Sequence, residues 1–367
     1  MSRLWTRFPV QRNAAFALAL VALPAATLAQ HYKQTNLVSD QAGATTLDTN
    51  LVNPWGMSRS SGSPWWISDN GTGLSTLYDG AGVTQALVVT IPPADAANGT
   101  GTPTGTIFNG TTDFTLATSK AAVFLFATED GTVSGWNPTV QPTSAVIKVN
   151  THSKSVFKGM AMATATLTTG PANLLYVADF RKARVQVYDT AFSPVHVGED
   201  AFQDESIPSG YAPFNVQNIG GDLYVSFAEQ DAAKHDEVDG AGLGYVDVFS
   251  PNGRLLRRLE HGSWFNAPWA MVLASSDFGI YTHDVLVGQF GSGEILAFDP
   301  VTGKFKGRLV DSNNQTITNE GLWGLSFGSG GKSGPANTLY FTAGINHEAD
   351  GLLGSITAVE NPQGNDQ

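Results

Sequence analysis

The sequence predicts an all-β chain closed into a six-bladed β-propeller, and three observations carry that prediction. A strand-turn-strand string, clearest as LLYVADFRKARVQVYD from Leu174 to Asp189, returns along the chain. It comes again as WWISDNGTGLSTLYDG from Trp65, FLFATEDGTVSGWNP from Phe124, LYVSFAEQ with GYVDVFSPNG from Leu223 and Gly244, DVLVGQFGSGEILAFDP from Asp284 and TLYFTAGINHEADGLLGSITAV from Thr338. A shorter element precedes most pairs: NPWGM at Asn53, KGMAM at Lys158, APFNV at Ala212, APWAM at Ala267 and EGLWG at Glu320. Its bulky residues Met160, Phe214, Trp269 and Trp323 stand 54, 55 and 54 residues apart. Turn residues end the copies at Asp79-Gly80, Asn137-Pro138, Asp189-Thr190, Ser250-Pro251-Asn252-Gly253 and Asp299-Pro300. A unit of this size, expected to hold four short strands, cannot bury both faces alone and must stack on its neighbours around an axis.

Each element follows from local chemistry. Leu174 to Val177 is apolar and β-favouring, and Val185 and Val187 alternate with Gln186 and Tyr188 as in a half-buried strand. From Trp55 to Met160 is 105 residues, two intervals, so a degenerate copy is expected between them around Phe114. Small residues follow the bulky ones at Gly56, Ala161, Ala270 and Gly324, where innermost strands would crowd the axis. The units read as 53–92, 108–150, 157–198, 211–260, 266–311 and 320–359, with exposed connections at 93–105 and 199–210. The last unit stops after three strands, and YKQTNLVS from Tyr32 has no hairpin partner nearby. The N-terminal strand is therefore expected to complete the last blade and remove the open sheet edges.

VADFRKARVQVYD resembles the NHL repeat of six-bladed propellers. From about Tyr32 to Val359 the chain also resembles a family of secreted bacterial propeller proteins without an assigned activity, through NPWG, KHDEVDGAGLGYVDVF and FTAGINHEADGLLGSI. The resemblance implies a fold and carries no activity with it.

The first 29 residues are set apart from the fold. Arg3, Arg7 and Arg12 precede an uncharged apolar stretch from Ala14 to Leu23 and a small-residue region ending at Ala29, the pattern of a cleavable signal peptide. Residues 30–360 are expected to form one propeller domain and 361–367 a polar tail, the product being secreted or periplasmic, without a membrane span, and monomeric. Without the three leader arginines, 17 basic residues face 32 acidic ones, a net charge of −15. Such a surface repels nucleic acid and anionic lipid. There is no cysteine, which excludes disulfides, thiol catalysis and thiolate metal sites.

Function is expected on one loop-rich face, where connections after the second strand of each blade gather. That face is read as lined by Asp69, Asn70, Glu129, Asp179, Arg181, Glu229, Gln289 and His347, holding a small ligand or a partner protein. Two inserts enlarge it, 229–242 and 344–351. Asp231, His235, Asp236, Glu237 and Asp239 in the first insert, and His347, Glu348 and Asp350 in the second, could bind Ca²⁺, but their spacing is not that of an EF-hand loop, and a solvated acidic loop is the simpler reading. The alternative is a metal-dependent hydrolase or lactonase with Ca²⁺ or another divalent cation at the axial opening. Asn53, Asn266 and Glu320 each precede an innermost strand and would converge there. EGLW at Glu320 also resembles, with one residue fewer before the Trp, the EGxxW stretch of gluconolactonase- and regucalcin-like propellers, which implies Glu320 as a metal ligand. Trp55, Trp269 and Trp323 recur too regularly for a sugar-stacking set and read as core between blades.

Overall fold

The computed structural model describes residues 1–2 and 31–359. The expected leader beyond Ser2 and the expected polar tail lie outside the described residues.

Six small sheets, antiparallel apart from the short strand Thr46–Leu47 that pairs parallel with the N-terminal strand, surround one axis. The first is Pro54–Ser58, Trp65–Asp69, Leu74–Tyr78 and Val89–Thr90. The second is Pro103–Phe108, Phe124–Thr128, Thr132–Trp136 and Val146–Asn150. The third has three strands, Phe157–Leu167, Gly170–Asp179 and Arg184–Tyr188. The fourth is Tyr211–Ile219, Asp222–Gln230, Tyr245–Phe249 and Leu255–Arg258, with Glu237–Val238 paired onto its second strand. The fifth is Pro268–Leu273, Val285–Gln289, Ile295–Phe298 and Phe305–Arg308. The sixth is Leu322–Phe327, Leu339–Ala343 and Leu352–Val359, completed by the N-terminal strand His31–Ser39. Each innermost strand touches that of the next blade, and the sixth touches the first, so the ring is closed. Among the described residues no helix is long and apolar enough to cross a membrane.

Burial explains why the second strand of each unit is the most legible in the sequence. Trp65–Asp69, Phe124–Thr128, Val285–Gln289 and Leu339–Ala343 are buried throughout, because both faces of a middle strand are covered by neighbouring blades. Such strands are written as continuous apolar runs instead of alternating ones. Outer strands such as Val146–Asn150 and Phe305–Arg308 are only half-buried and correspondingly mixed. The turns beyond the third strands are held as the sequence predicts. Asp79 Oδ1 accepts from the backbone N–H of Ala81 and Val83, Asp189 Oδ1 from Ala191 and Ser193, and Asp299 Oδ1 from Val301 and Thr302.

The latch is a packed element. His31–Ser39 runs antiparallel to Leu352–Val359, from His31 opposite Val359 to Ser39 opposite Leu352. Tyr32 and Val38 are fully buried, and the Tyr32 hydroxyl donates to the Phe278 carbonyl at 3.0 Å across to the fifth blade.

Three expectations need correcting. The innermost strand of the second blade is Pro103–Phe108, not a copy around Phe114. PTGTIF carries no bulky anchor, so its spacing signal is lost, while Phe114 is buried in the next connection with φ 57°. The third blade lacks a regular fourth strand; after Asp189 the chain returns through a single antiparallel bridge, Tyr188 to Pro194, with Asp189 N–H donating to the Ser193 carbonyl at 2.9 Å and Val195 N–H to the Val187 carbonyl at 2.8 Å. The bulky residue of the third inner strand that corresponds to Phe214, Trp269 and Trp323 is Lys158, not Met160. In each of the six blades the ladder between the first and second strands shifts register beside its axial end, between Pro54 and Met57, Phe126 and Thr128, Phe157 and Gly159, Pro213 and Asn215, Pro268 and Ala270, and Leu322 and Leu325. A bulge re-aims the side chain it carries, and the six residues at this point are Trp55, Thr104, Lys158, Phe214, Trp269 and Trp323.

Candidate functional site

At the axis these side chains form a plug. The rings of Trp55 and Trp323 stack at 3.4 Å between centroids, Trp269 meets both edge-on at 6.1 and 5.7 Å, and Phe214 packs on Trp323 at 5.8 Å. Gly56 and Gly105 keep the inner strands close. A Cβ on Gly56 would lie 2.5 Å from the Thr104 carbonyl oxygen, and one on Gly105 2.8 Å from the Met160 nitrogen. The tryptophans are buried, as their regular spacing predicts, and cannot stack a sugar.

Lys158 rises from this plug with its Nζ 4.9 Å from the centre of the Trp55 ring. Its side chain is only 1% exposed, and three carboxylates surround the ammonium: Glu129 Oε1 at 2.7 Å, Asp236 Oδ1 at 3.2 Å and Glu237 Oε2 at 3.8 Å. Glu129 comes from the loop after the second strand of blade two, Asp236 and Glu237 from the long insert of blade four. Burial works against the charged lysine, but the charges of Glu129, Glu237 and Asp236 outweigh it and hold the ammonium above the ordinary lysine value. Lys158 is therefore a fixed cation and not an amine nucleophile, which would need the opposite shift. Asp236 is held well below the usual carboxylate range by its hydrogen bond to His235, offset in part by burial and helped by Lys158. His235 is raised by the same hydrogen bond, Nδ1 to Oδ1 at 2.8 Å. Glu237, 6% exposed, is pushed up to about 7 by burial, with Lys158 pulling the other way.

Beside this cluster, between the fifth and sixth blades, opens a cleft of about 500 Å³. Its floor is Phe290, whose ring lies 4.3 Å from that of Trp323. Its rim carries Asp239, Glu320 and Glu348, with His347 and Ser292. Glu348 Oε1 and Ser292 Oγ are buried without a hydrogen-bond partner, and burial raises the Glu348 carboxyl. A second cleft of about 500 Å³, which shares Thr318 with the first, lies where Tyr32 and Gln34 of the latch strand and Val359 meet Asp311 and Thr316.

The residues proposed from sequence divide into two groups. Asn70 and Glu129 meet, Asn70 Nδ2 donating to Glu129 Oε2 at 2.8 Å, and Glu320 meets His347, whose backbone N–H it accepts at 2.9 Å. The side chain of His347 is fully exposed. The others turn away from the opening. Asp69 is buried and accepts from the Thr76 N–H at 2.9 Å, with burial raising its carboxyl well above the usual range. Asp179 is buried in its own turn against Gln186 and the Lys182 N–H, and Gln289 Oε1 accepts the Asn266 N–H at 2.8 Å. These three end second strands, and the blade folds them inward to fasten its own turn or the adjoining chain. Arg181 is half-buried and donates to the Ser153 carbonyl, while Glu229 lies one residue before the end of its strand, opposite Tyr211. Asn53, Asn266 and Glu320 reach the same face, each with one oxygen held by a protein donor: Asn53 Oδ1 by Trp323 Nε1 at 3.1 Å, Asn266 Oδ1 by the Gly240 N–H at 2.6 Å, and Glu320 Oε1 by the His347 N–H at 2.9 Å.

Sequence reasoning missed Lys158 and Ser292, and gave Asp236, Glu237 and Glu348 as Ca²⁺ candidates in acidic loops whose simpler reading is solvation. A signal was present for Lys158. A lysine immediately ahead of GMAM, where Trp55, Phe214, Trp269 and Trp323 stand at the corresponding point of four other inner strands, is anomalous once the bulge is placed.

No family model matches the chain. Among solved structures it is similar to a streptogramin B lyase, with TM-score 0.51 and 11% identity over 90% of this chain and 98% of that one. It is likewise similar to the soluble aldose sugar dehydrogenase of Escherichia coli, with TM-score 0.53 and 12% identity over 89% and 100%. At such identities the likeness shows the six-bladed fold and nothing of the chemistry. In sequence the chain is 32% identical over 336 residues to uncharacterized protein R648 of Acanthamoeba polyphaga mimivirus, spanning 89% of this chain and 80% of that protein. It is 31% identical over 322 residues to uncharacterized protein L690 of the same virus, spanning 84% and 81%. The chain belongs to the propeller family that includes these two mimivirus proteins.

Proposed function

We propose that this chain is a binding propeller whose cleft between the fifth and sixth blades receives a small ligand, or a side chain of a partner protein, that carries a positive charge. The observation that supports this most is the pairing of an aromatic floor, Phe290 over Trp323, with a carboxylate rim of Asp239, Glu320 and Glu348. An ammonium or guanidinium over a ring and between carboxylates gains from both. The buried, unpartnered Glu348 Oε1 offers an acceptor that such a donor satisfies. The volume suits a compact ligand. The test is a thermal-shift panel of primary amines and guanidines against neutral isosteres of equal size. Cations are expected to raise the melting temperature where the isosteres do not, and Glu348→Gln is expected to weaken the best of them about tenfold, as losing a charge-assisted contact does. Equal responses to cations and isosteres would sink the reading.

We further propose a secreted location and an NHL-like repeat character. The basic start, apolar stretch and small-residue end of residues 1–29 support the first, and VADFRKARVQVYD supports the second. The first packed strand begins at His31, so cleavage after Ala29 would leave the latch whole. N-terminal sequencing of the exported chain is expected to begin at Gln30; an exported chain that still starts at Met1 would count against the leader.

A further inference from the structure

We propose that Glu129, His235 and Asp236, backed by Glu237, form a binding site for a divalent transition-metal ion on the solvent side of Lys158. One ligand atom from each of the first three lies within 4.8 Å of the other two. That spread is what a cation with metal–ligand bonds of about 2.0–2.2 Å requires of atoms around it. His235 Nδ1 and Asp236 Oδ1, 2.8 Å apart, can serve as one edge of a coordination polyhedron as readily as they form an ion pair. Access exists on one side only. Lys158 closes the floor, whereas the Asp236 side chain is 63% exposed and that of His235 half-exposed.

Two further observations separate this cluster from an ordinary solvated acidic loop. Glu237 is more than nine-tenths buried and its Oε2 has no hydrogen-bond partner, the Lys158 ammonium standing off at 3.8 Å. Glu129, Asp236 and Glu237 all gather around the single ammonium of Lys158, at 2.7, 3.2 and 3.8 Å. One imidazole with carboxylates suits Zn²⁺ or Mn²⁺ better than Ca²⁺, which takes oxygen ligands. The site shares none of its ligands with Asn53, Asn266 or Glu320, and its second carboxylate comes from the insert that the plain turns of other blades lack.

The test uses the whole chain, stripped with chelator and dialysed separately against Zn²⁺ and Mn²⁺, with bound metal measured by elemental analysis and affinity by calorimetry. One ion per chain is expected, with affinity lowered at least tenfold by His235→Ala and by Asp236→Asn. His235 is exposed enough that its variant keeps the fold, which circular dichroism checks. Retention of no ion, or equal affinity in the wild type and His235→Ala, overturns the site; an ion bound equally well by every variant is adventitious and overturns it too. No organic ligand enters the measurement, so its outcome is independent of whether the cleft takes a cation.

Discussion

Removing residues 31–39 is expected to abolish cooperative folding, not merely to lower stability. The strand pairs along the whole of Leu352–Val359 and buries Tyr32, Leu37 and Val38. Burial of three such side chains contributes about 5–9 kcal/mol, which is comparable to the entire net stability of a domain, about 5–15 kcal/mol. The loss is also topological. Without the strand the sixth blade ends at Leu352–Val359 with a row of unpaired N–H and carbonyl groups, an edge that invites pairing between chains. Thermal and urea scans of the truncated chain should show no sharp transition, and its soluble fraction should fall. A truncated chain that melts as sharply as the full one, within a few degrees, would show that the latch is dispensable.

Replacement of Lys158 by methionine is expected to cost about 3–5 kcal/mol, the usual penalty for leaving buried charges without their partner. Methionine fits the space beside Trp55, so lost packing adds little, and the cost arises from Glu129 and Glu237, which lose the ammonium 2.7 and 3.8 Å away. The insert should loosen at the same time, because Asp236 and Glu237 are how it is tied to the axis. Urea denaturation reads the first effect and hydrogen exchange of residues 231–242 reads the second. Lys158→Met combined with Glu129→Gln should recover part of the loss, since two groups in contact couple instead of adding. A loss below about 1 kcal/mol would mean that the ammonium is worth no more than an exposed surface pair.

The blades were legible because their signals are local. Asp79, Asn137, Asp189, Ser250 and Asp299 each accept hydrogen bonds from a backbone N–H within the next few residues, so turn chemistry alone places them. The axial site was legible only in fragments. Glu129 and Asp236 stand 29 and 78 residues from Lys158, and nothing in either stretch announces the other. Asp69, Asp179 and Gln289 read as ligand-facing because they end strands at the right face, yet a strand end does not say which way its side chain turns. In all three the blade's own backbone donors claimed the oxygen.

What the sequence determined by itself is the closed six-bladed ring and its latch. Middle strands buried on both faces must be apolar throughout, turns need their Asp, Asn and Gly, and a last unit one strand short needs a partner from the other end of the chain. What only the tertiary structure decided is which residue of each inner strand reaches the axis. A bulge inserts its extra residue through strand pairing, and pairing is invisible to spacing. The shift from Met160 to Lys158 therefore converts an expected apolar knob into a buried cation. The carboxylates that gather around that cation converge because six rigid sheets point their loops at one opening, a condition of geometry and not of neighbouring sequence.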